Sequence, residues 1–513
     1  MELTGFSGLL TATVFLPAAG ALAILLVVRG DRNIRVFAVL VALADLVLSL
    51  VVFGLFEQGD GVDRFQLIDR FTWIPGEPGE TIRASFFLGV DGLNTPLVAL
   101  TGILGFCAVI ASWRIKLRVR EYFIWLLVLQ TAVMGVFSAL DLLLFFFFWE
   151  LELVPMYMLI SIWGSGRKEY SAMKFLVFTL LGSAFMLVAI VAVYATPGVG
   201  TFDMVVLSTK GSTVASAASV LIPMTGLFWL FFVAFAIKLP SWPVHTWLPD
   251  AHTDAPTAAS VMLAGVLLKM GGYGLLRINL GMFPGQTDRF AWALVALGVI
   301  SVLYGAVVTL RQTDLKRLIA FSSVSHMGLV MLGIGSIGVA DGELTMAGLN
   351  GAAMQLFTHG TITGLLFLAV GLVYEKTHTR YIPDLGGLAG RMPVIAAAIL
   401  IAGLASLGLP GLSGFVSELL VFMGAFQAYA WPTALAVLSI VLAAGYILWM
   451  MERTFFGLRR ERFAQVTDAS FVEAVPLAML VITIVGIGVY PSFLTDVFQS
   501  GLEPIAALLP GGG

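Results

Sequence analysis

The stretches LFWLFFVAFAIKLPSWPVHTWLP (residues 227–249) and ASVMLAGVLLKMGGYGLL (residues 259–276) decide the fold of this chain. Both are long apolar runs of the kind that form membrane-spanning helices, yet each carries a lysine at its centre, Lys238 and Lys269. A charge at the bilayer centre is costly, so it usually faces an ion pathway or an internal partner. The two lysines therefore indicate a membrane protein that moves protons or cations.

The composition predicts an all-α polytopic membrane protein. Of the 513 residues, 59% are hydrophobic and only 12% are charged, whereas soluble domains carry about 25% charged residues. The single cysteine, Cys107, lies in an apolar run. This excludes a disulfide within the chain and a cysteine-ligated cluster.

Because a membrane-spanning helix needs about 20 apolar residues, we predict fourteen crossings. The predicted segments are residues 9–28, 34–56, 90–111, 122–138, 141–163, 171–194, 220–247, 257–276, 290–310, 316–335, 344–374, 393–424, 431–451 and 472–490.

The basic residues fall mainly on one side of this arrangement. With the N-terminus outside, the loops on the inner side hold 19 Lys and Arg and the opposite loops hold 6. By the positive-inside rule the basic side is cytoplasmic and both termini face outward. The long outer loop, residues 57–89, contains the turn sequence PGEPG (residues 75–79) and predicts a hairpin on the outer face.

Two crossings are interrupted by proline, the first at Lys238-Leu239-Pro240 and the second at Gly408-Leu409-Pro410-Gly411. Non-helical backbone at membrane depth is tolerated only where protein buries it or where it lines a wet cavity. Interrupted helices in corresponding positions indicate a repeat with the transport site at the breaks. The breaks are five crossings apart, and an odd number predicts two inverted copies.

A carboxylate lies at comparable depth to the lysines. Glu150 follows Asp141 by nine residues, which places it about 14 Å into the membrane. A Glu–Lys pair whose separation changes would act as a proton switch, so we predict a gate formed by Glu150 and Lys238. The alternative is a static ion pair that fixes helix packing. Glu152 is about 200° further around the helix and is expected to face elsewhere, with a structural and a functional role both open.

Two histidines and a second glutamate extend the series. His326 lies about 15 Å into its helix, His359 is central in the eleventh crossing, and Glu418 follows the second break. Histidine titrates near neutral pH and relays protons in both directions, so we predict a relay that ends at Glu418. The alternative for each histidine is a hydrogen-bonded core residue. For His245 and His252, beside the first break, the sequence does not separate gating from packing.

Other chemistry is not indicated. The five histidines include no pair four residues apart, and we predict neither a metal nor a cofactor. The GxGxxG match at residues 333–338 ends a membrane helix, whereas a dinucleotide site needs that pattern between a strand and a helix. Lys174 is expected to reach toward the surface, and Asp45 is expected to bond a neighbouring helix.

Four stretches resemble the antiporter-like subunits of respiratory complex I, and most closely the M group of bacterial NADH:quinone oxidoreductase. They are FFFFWELELVPMYMLI (145–160), AFAIKLPSWPVHTWLPDAHTDAPTAASVMLAGVLLKMGGYG (234–274), TDLKRLIAFSSVSHMG (313–328) and GLPGLSGFVSE (408–418). The resemblance implies helices 1–3 in residues 1–111, inverted five-helix repeats in 122–276 and 290–451, and helix 14 with a tail in 472–513. In the related L and N subunits the position of Glu418 resembles a lysine, which favours the M group.

The residues that match the family's central charged line, which is expected to transfer protons, lie on six helices. They are Glu150 on helix 5, Lys238 at the break of helix 7, Lys269 on helix 8, His326 and His359 on helices 10 and 11, and Glu418 on helix 12.

The resemblance implies a non-redox subunit that pumps protons in the bacterial plasma membrane, driven by redox chemistry in other subunits. The expected partners are the neighbouring L and N subunits and the lipid bilayer, and no nucleic acid. One alternative is a subunit of a multisubunit Na⁺/H⁺ antiporter or of a membrane-bound hydrogenase. The other is a structural spacer with its charges locked in static pairs.

Overall fold

A computed structural model describes residues 5–59, 61–76, 82–209, 222–337, 339–340, 343–344 and 346–509. Its α-helices, in chain order, are α1 (Leu9–Leu26), α2 (Asp31–Leu55), α3 (Thr95–Ala111), α4 (Val119–Ser138), α5 (Leu142–Leu151), α6 (Leu153–Trp163), α7 (Lys168–Tyr194), α8 (Met204–Thr209), α9 (Met224–Lys238), α10 (Trp247–Asp254), α11 (Thr257–Met262), α12 (Leu268–Gly274), α13 (Pro284–Arg289), α14 (Ala291–Thr309), α15 (Leu315–Gly335), α16 (Ala347–Thr377), α17 (Pro393–Ser406), α18 (Ser413–Ala428), α19 (Ala430–Met451), α20 (Phe471–Val489) and α21 (Ser492–Ala506). Three π-helices, Leu263–Leu267, Leu275–Leu280 and Glu452–Phe456, continue α11, α12 and α19.

The prediction of an all-α polytopic membrane protein is confirmed. In the described residues, eleven helices are long and apolar enough to cross a membrane, and four shorter apolar helices accompany them. Of the shorter ones, α3 lies in the third predicted crossing, and α9, α17 and α18 lie in the two interrupted crossings. The count of fourteen and the bounds of the inverted repeats stay predictions.

Both helix breaks occur where proline and glycine predicted them. Helix α9 ends at Lys238 and the chain becomes helical again at Trp247. Helix α17 ends at Ser406 and α18 begins at Ser413, and Gly408 between them has a φ of 75°. Such a φ suits glycine, because a Cβ atom would be strained there.

The outer loop forms the predicted hairpin. Strand β1 (Gln66–Ile74) pairs antiparallel with β2 (Ala84–Val90), and most of the predicted turn, residues 77–79, lies outside the described residues. Two two-residue strands, β3 (Val339–Ala340) and β4 (Glu343–Leu344), pair further along the chain.

The hairpin caps the first membrane helix. Asp69 on β1 is fully buried, and its carboxylate accepts hydrogen bonds from the Gly8 and Thr11 amides at 2.6 and 2.8 Å. The hydroxyl groups of Thr11 and Ser7 donate to the same carboxylate at 2.7 and 3.0 Å. These donors lie at the N-terminal end of α1, where the backbone N–H groups have no intrahelical partner and the helix dipole favours an anion. A strand about 60 residues away thus fixes where α1 begins.

A second carboxylate ties the hairpin to the helix that carries Lys269. Asp91 follows β2 and accepts two hydrogen bonds from the Arg277 guanidinium, at 2.5 and 2.7 Å. Arg64 adds a longer contact of 3.4 Å. Burial alone would raise the pKa of Asp91, but the Arg277 and Arg64 guanidinium groups hold that pKa below its usual value. The ionised pair anchors this end of the helix to the hairpin.

Asp45 bonds a neighbouring helix, as its isolation in an apolar segment predicted. The Gln130 side-chain amide on α4 donates to the Asp45 carboxylate at 2.6 Å. Gly105 on α3 leaves room for this amide, since a Cβ there would overlap it. Helices α2, α3 and α4 therefore meet at one buried polar contact away from the central lysines.

The cap on α1 makes a direct prediction. Asp69→Ala removes four hydrogen bonds and leaves buried donors unpaired, a cost of about 2 kcal/mol. If α1 opens locally, amide hydrogen exchange at residues 8–14 of the assembled protein is expected to speed up about 30-fold. Asp63→Ala, at an exposed position nearby, is the control. Equal exchange in the two variants would show that the cap does not hold α1.

Candidate proton-transfer site

Glycines bring the helices of the two central lysines into backbone contact. A Cβ atom at Gly271 on α12 would lie 2.6 Å from the Leu239 amide nitrogen and 2.7 Å from the Phe235 carbonyl oxygen. Distances this short exclude any larger residue, so α12 packs directly against the broken end of α9. In the π-helix that precedes α12, the Gly265 carbonyl oxygen would lie 2.7 Å from a Cβ atom at Gly360 on α16. Small residues thus assemble the centre of the bundle.

Lys238 pairs with Glu152, and the predicted pairing with Glu150 is wrong in this structure. The Lys238 ammonium contacts a carboxylate oxygen of Glu152, and both side chains are almost completely buried. The rings of Trp149 and Phe175 flank the ammonium at 5.3 and 5.6 Å from their centroids. The ammonium is therefore held by one anion and two aromatic faces.

The pairing differs from the prediction because the side of the helix that faces Lys238 carries Glu152 and not Glu150. Pro155 cannot donate to the carbonyl of Leu151, and its ring crowds that carbonyl. Helix α5 ends at Leu151 and α6 begins at Leu153, and Glu152 between them keeps a helical φ of −71° and ψ of −23°. The two glutamates face different directions, as the 200° rotation predicts, but it is Glu152 that points inward to Lys238.

Glu150 lies beside this pair without joining it. Its side chain is half-buried, close enough to Lys238 to feel its charge. The buried oxygen Oε1 has no hydrogen-bond partner within the described part of the chain. Two acids of different exposure therefore share one lysine, and we call Lys238 with Glu152 the gate pair.

Lys269 lies at the end of a π-helix and reaches toward His359. Its ammonium, which is fully buried, donates to the backbone carbonyl of Ala264 in the segment Leu263–Leu267. It also lies 2.8 Å from Nδ1 of His359 on α16. Single π-helical turns occur often at functional sites, and this one places the ammonium between a carbonyl and an imidazole.

From His359 the contacts continue to Glu418. The rings of His359 and His326 have centroids 5.5 Å apart. His326 Nδ1 lies 3.2 Å from Glu418 Oε1, and its Nε2 lies 3.1 Å from the Ser406 hydroxyl oxygen. All four ionisable side chains of this series are buried. We call Lys269, His359, His326 and Glu418 the central row.

Glu418 lies against the second helix break. A Cβ atom at Gly408 would lie 2.9 Å from Glu418 Oε2, so the glycine makes room for the carboxylate. The preceding residue, Ser417, donates a 2.5 Å hydrogen bond to Gln355 Oε1 and lies 2.9 Å from the Thr358 hydroxyl oxygen. The second helix break, the Glu418 carboxylate and the polar contact from Ser417 to α16 therefore lie close together.

The gate pair and the central row are separate in this structure. Within the described residues, no hydrogen bond or ion pair joins Lys238 to Lys269, although their helices touch at Gly271. A proton that passes between them therefore needs water or a rearrangement. The site therefore has two parts. The gate pair is an ion pair that can open, and the central row is a series of groups that can conduct protons.

Each histidine of the row presents two nitrogens in different directions. With the Lys269 ammonium donating to Nδ1 of neutral His359, the proton on that imidazole is at Nε2, a buried nitrogen with no partner in the described ranges. A proton can enter this ring at one nitrogen and leave from the other. His326 repeats the arrangement, with Ser406 on one nitrogen and Glu418 on the other.

The remaining polar candidates lie off the row. The His252 ring stacks on Phe367 at 4.4 Å, and the His245 ring packs edge-on to Tyr304 at 5.0 Å. Lys174 forms a 2.7 Å ion pair with Asp250 on α10, where the sequence predicted only reach toward the surface. Within the described ranges, no group of three or more His, Cys, Asp or Glu side chains is placed to hold a metal ion.

Sequence reasoning missed the partners that orient the row. Ser406 and Gln355 carry no charge and were not singled out, and Glu152 was assigned to the wrong face. The roles predicted for Glu150, Lys238, Lys269, His326, His359 and Glu418 stay predictions.

Comparison with known proteins identifies the family to which this chain belongs. Residues 139–443 match the model of the NADH:quinone oxidoreductase/Mrp antiporter transmembrane family. The NADH-quinone oxidoreductase subunit M of Rhodobacter capsulatus is 41% identical over 505 residues, which covers 95% of this chain and 94% of that protein.

Solved structures share the fold. A chain of respiratory complex I from Thermus thermophilus, solved with bound NADH, superposes with a TM-score of 0.85 at 30% identity, covering 98% of this chain and 100% of that one. A chain of the Mrp complex from Dietzia sp. has a TM-score of 0.80 at 21% identity, covering 98% and 100%, and shows the fold alone. The chain therefore belongs to the NADH:quinone oxidoreductase/Mrp antiporter transmembrane family, among its M-type relatives.

Proposed function

We propose that this chain is a proton-translocating, non-redox subunit in the membrane arm of NADH:quinone oxidoreductase. Redox chemistry in other subunits drives the transfer. The side chains that carry the protons are Glu150, Lys238, Lys269, His326, His359 and Glu418. We add Glu152 to this set, because it forms the gate pair with Lys238. The observation that carries the proposal is the central row, whose buried groups follow one another at contact distances across four helices. Buried ionisable groups in a membrane are rare without such a role.

The row defines an order of transfer. Lys269 takes up a proton from the cytoplasmic side and passes it to Nδ1 of His359. The proton then leaves from Nε2 toward His326, across a ring separation that one water can bridge. His326 releases it through Nδ1 to Glu418 Oε1, which lies at the helix break and discharges it outward.

The gate pair sets when Lys269 holds its proton. While Glu152 holds Lys238, the lysine charge is compensated and acts weakly on its surroundings. When the pair opens, the freed ammonium raises the positive potential near α12, because Gly271 keeps the two helices in contact. The proton on Lys269 is then driven along the row. Glu150, the second acid beside Lys238, receives the lysine in the open state.

The exposure of Glu150 supports neighbouring subunits as partners. A half-buried carboxylate at mid-membrane depth does not face lipid chains without a large cost. Phe147 and Val154 beside it are nearly half exposed, at 46% and 49%, so this face is open in the isolated chain. We infer that a neighbouring membrane subunit, of the L or N type, covers it and supplies a polar group to Glu150.

The arrangement in the membrane follows from the same proposal. The basic loops lie on the cytoplasmic side of a bacterial plasma membrane and both termini face outward. The five-helix segments, residues 122–276 and 290–451, are inverted copies that each contribute one broken helix. Residues 1–111 and 472–513 flank them.

A Na⁺/H⁺ antiporter subunit is the nearest rival. The likeness to the Mrp complex is one of fold at 21% identity, whereas the likeness to a quinone oxidoreductase subunit is 41% over nearly the whole chain. The identity favours the oxidoreductase. A structural spacer would keep every pair static, and the variants below distinguish it from a pump.

The gate pair predicts different outcomes for the two glutamates. Glu152→Gln leaves the buried Lys238 ammonium unpaired, which is expected to lower the stability of the assembled complex by about 3 kcal/mol and to impair NADH-driven proton pumping. Glu150→Gln keeps the ion pair and is expected to change stability by less than about 1 kcal/mol while slowing pumping. Thermal unfolding and pumping into proteoliposomes measure both. The reverse order of stability, with Glu150→Gln the more harmful, would contradict the assignment of Glu152.

A substitution at His326 distinguishes proton conduction along the central row from a purely structural role. His326→Gln keeps a side chain that hydrogen-bonds Ser406 and Glu418 but does not titrate. Loss of one proton carrier is expected to slow transfer through this chain about 100-fold, so that the complex pumps fewer protons per electron with normal assembly. His378→Gln, in an exposed loop, is the matched control. Normal pumping by His326→Gln would support the spacer and reject the relay.

A further inference from the structure

Two adjoining clefts lie on the basic side of the membrane, where the loop after α16 packs on the loop after α19. Their volumes are about 520 and 140 Å³, and Gly386 and Arg460 line both. Arg453 lines the larger one, and Arg391 and Arg459 line the smaller. We call this the arginine cleft.

The four arginines of the cleft lack carboxylate partners. Among the described residues none of them forms an ion pair, whereas Arg380 nearby pairs with Asp314 at 2.6 Å. Glu461 lines the smaller cleft, but it lies farther from each guanidinium than an ion pair requires. Four like charges gathered around one cavity repel one another. An anion bound among them would remove this repulsion.

The cleft is held in shape by backbone contacts. A Cβ atom at Gly387 would lie 2.7 Å from the Arg459 Cα, so the two loops touch directly. Arg460 donates to the Pro383 carbonyl at 2.6 Å, and the Arg453 guanidinium lies 4.7 Å from the Trp449 ring centroid. Contacts with the rest of the chain therefore position two of the guanidinium groups, those of Arg453 and Arg460.

Apolar side chains border the cleft at the end of a membrane helix. Phe456 and Leu458 directly follow α19 and are 61% and 92% exposed. Val441 and Leu448 on α19 are also exposed. They are seven residues apart, which is two helical turns, so they lie on the same face of α19 as each other. Positive charge above an exposed apolar helix face fits a ligand with an anionic head and hydrocarbon chains.

We propose that the arginine cleft binds the phosphate headgroup of an anionic phospholipid, whose acyl chains lie along α19. A free phosphate would leave Phe456 and Leu458 uncovered, and a zwitterionic lipid would bring its own cation to the arginines. The site is separate from the central row and does not depend on the proposed function. Its role is to tie the loops after α16 and α19 to the membrane surface.

The test uses the assembled complex, purified and washed with detergent that contains phosphatidylcholine. Phosphatidylglycerol is then titrated back, and the lipid that stays bound is counted by mass spectrometry. The variant Arg459→Gln/Arg460→Gln removes two charges, each worth about 1 kcal/mol toward an anionic lipid. Its affinity for phosphatidylglycerol at this site is expected to fall roughly 30-fold.

Two matched variants complete the design. Arg459→Lys/Arg460→Lys keeps the charges and is expected to keep the lipid. Arg29→Gln/Arg32→Gln removes two exposed charges from another basic loop and is expected to bind as the parent does. If the first variant fails to assemble, the single changes Arg391→Gln and Arg453→Gln are each expected to weaken binding roughly fivefold.

Two results would overturn the proposal. Equal phosphatidylglycerol binding by the glutamine variant and the parent would show that the arginines do not hold the lipid. Loss of a neighbouring subunit from the glutamine variant, with the bound lipid unchanged, would assign the cleft to an acidic protein segment instead.

Discussion

An ionised side chain inside a membrane needs a partner within the protein, because the hydrocarbon supplies none. This constraint organises the structure. The partners of Lys238 are Glu152 and two aromatic rings. The partners of Lys269 are a backbone carbonyl and His359. Each solution draws on a second helix, so the charges determine which helices must touch. The packing of the helix bundle therefore follows the buried ionisable side chains and their partners.

The backbone irregularities serve the same end. The break after α9 ends the helix at Lys238, and the glycine at position 408 admits Glu418. A regular helix would spread these side chains around its surface. Each irregularity instead directs one ionisable group toward the interior, where its charge state can be coupled to that of a neighbour.

Much of this could be predicted from the sequence, because charges in apolar runs stand out against their surroundings. The positions of Lys269, His326, His359 and Glu418 inside apolar segments could be read from the sequence, and proline marked both helix breaks. What failed was the choice between Glu150 and Glu152. That choice depended on which side of the helix faces Lys238, and the packing of the helices decides this. Uncharged partners such as Ser406 carry no sequence signal, since serine is common in membrane helices.

The account rests on the central row exchanging protons and not merely neutralising charge. The most direct measurement is the number of protons pumped per electron by assembled complex that carries Lys269→Met, reconstituted in proteoliposomes. Methionine fills the volume of the lysine but holds no proton, so the account predicts a lower ratio and slower quinone reduction in a fully assembled complex. A ratio equal to that of the parent, at an undiminished rate, would contradict it.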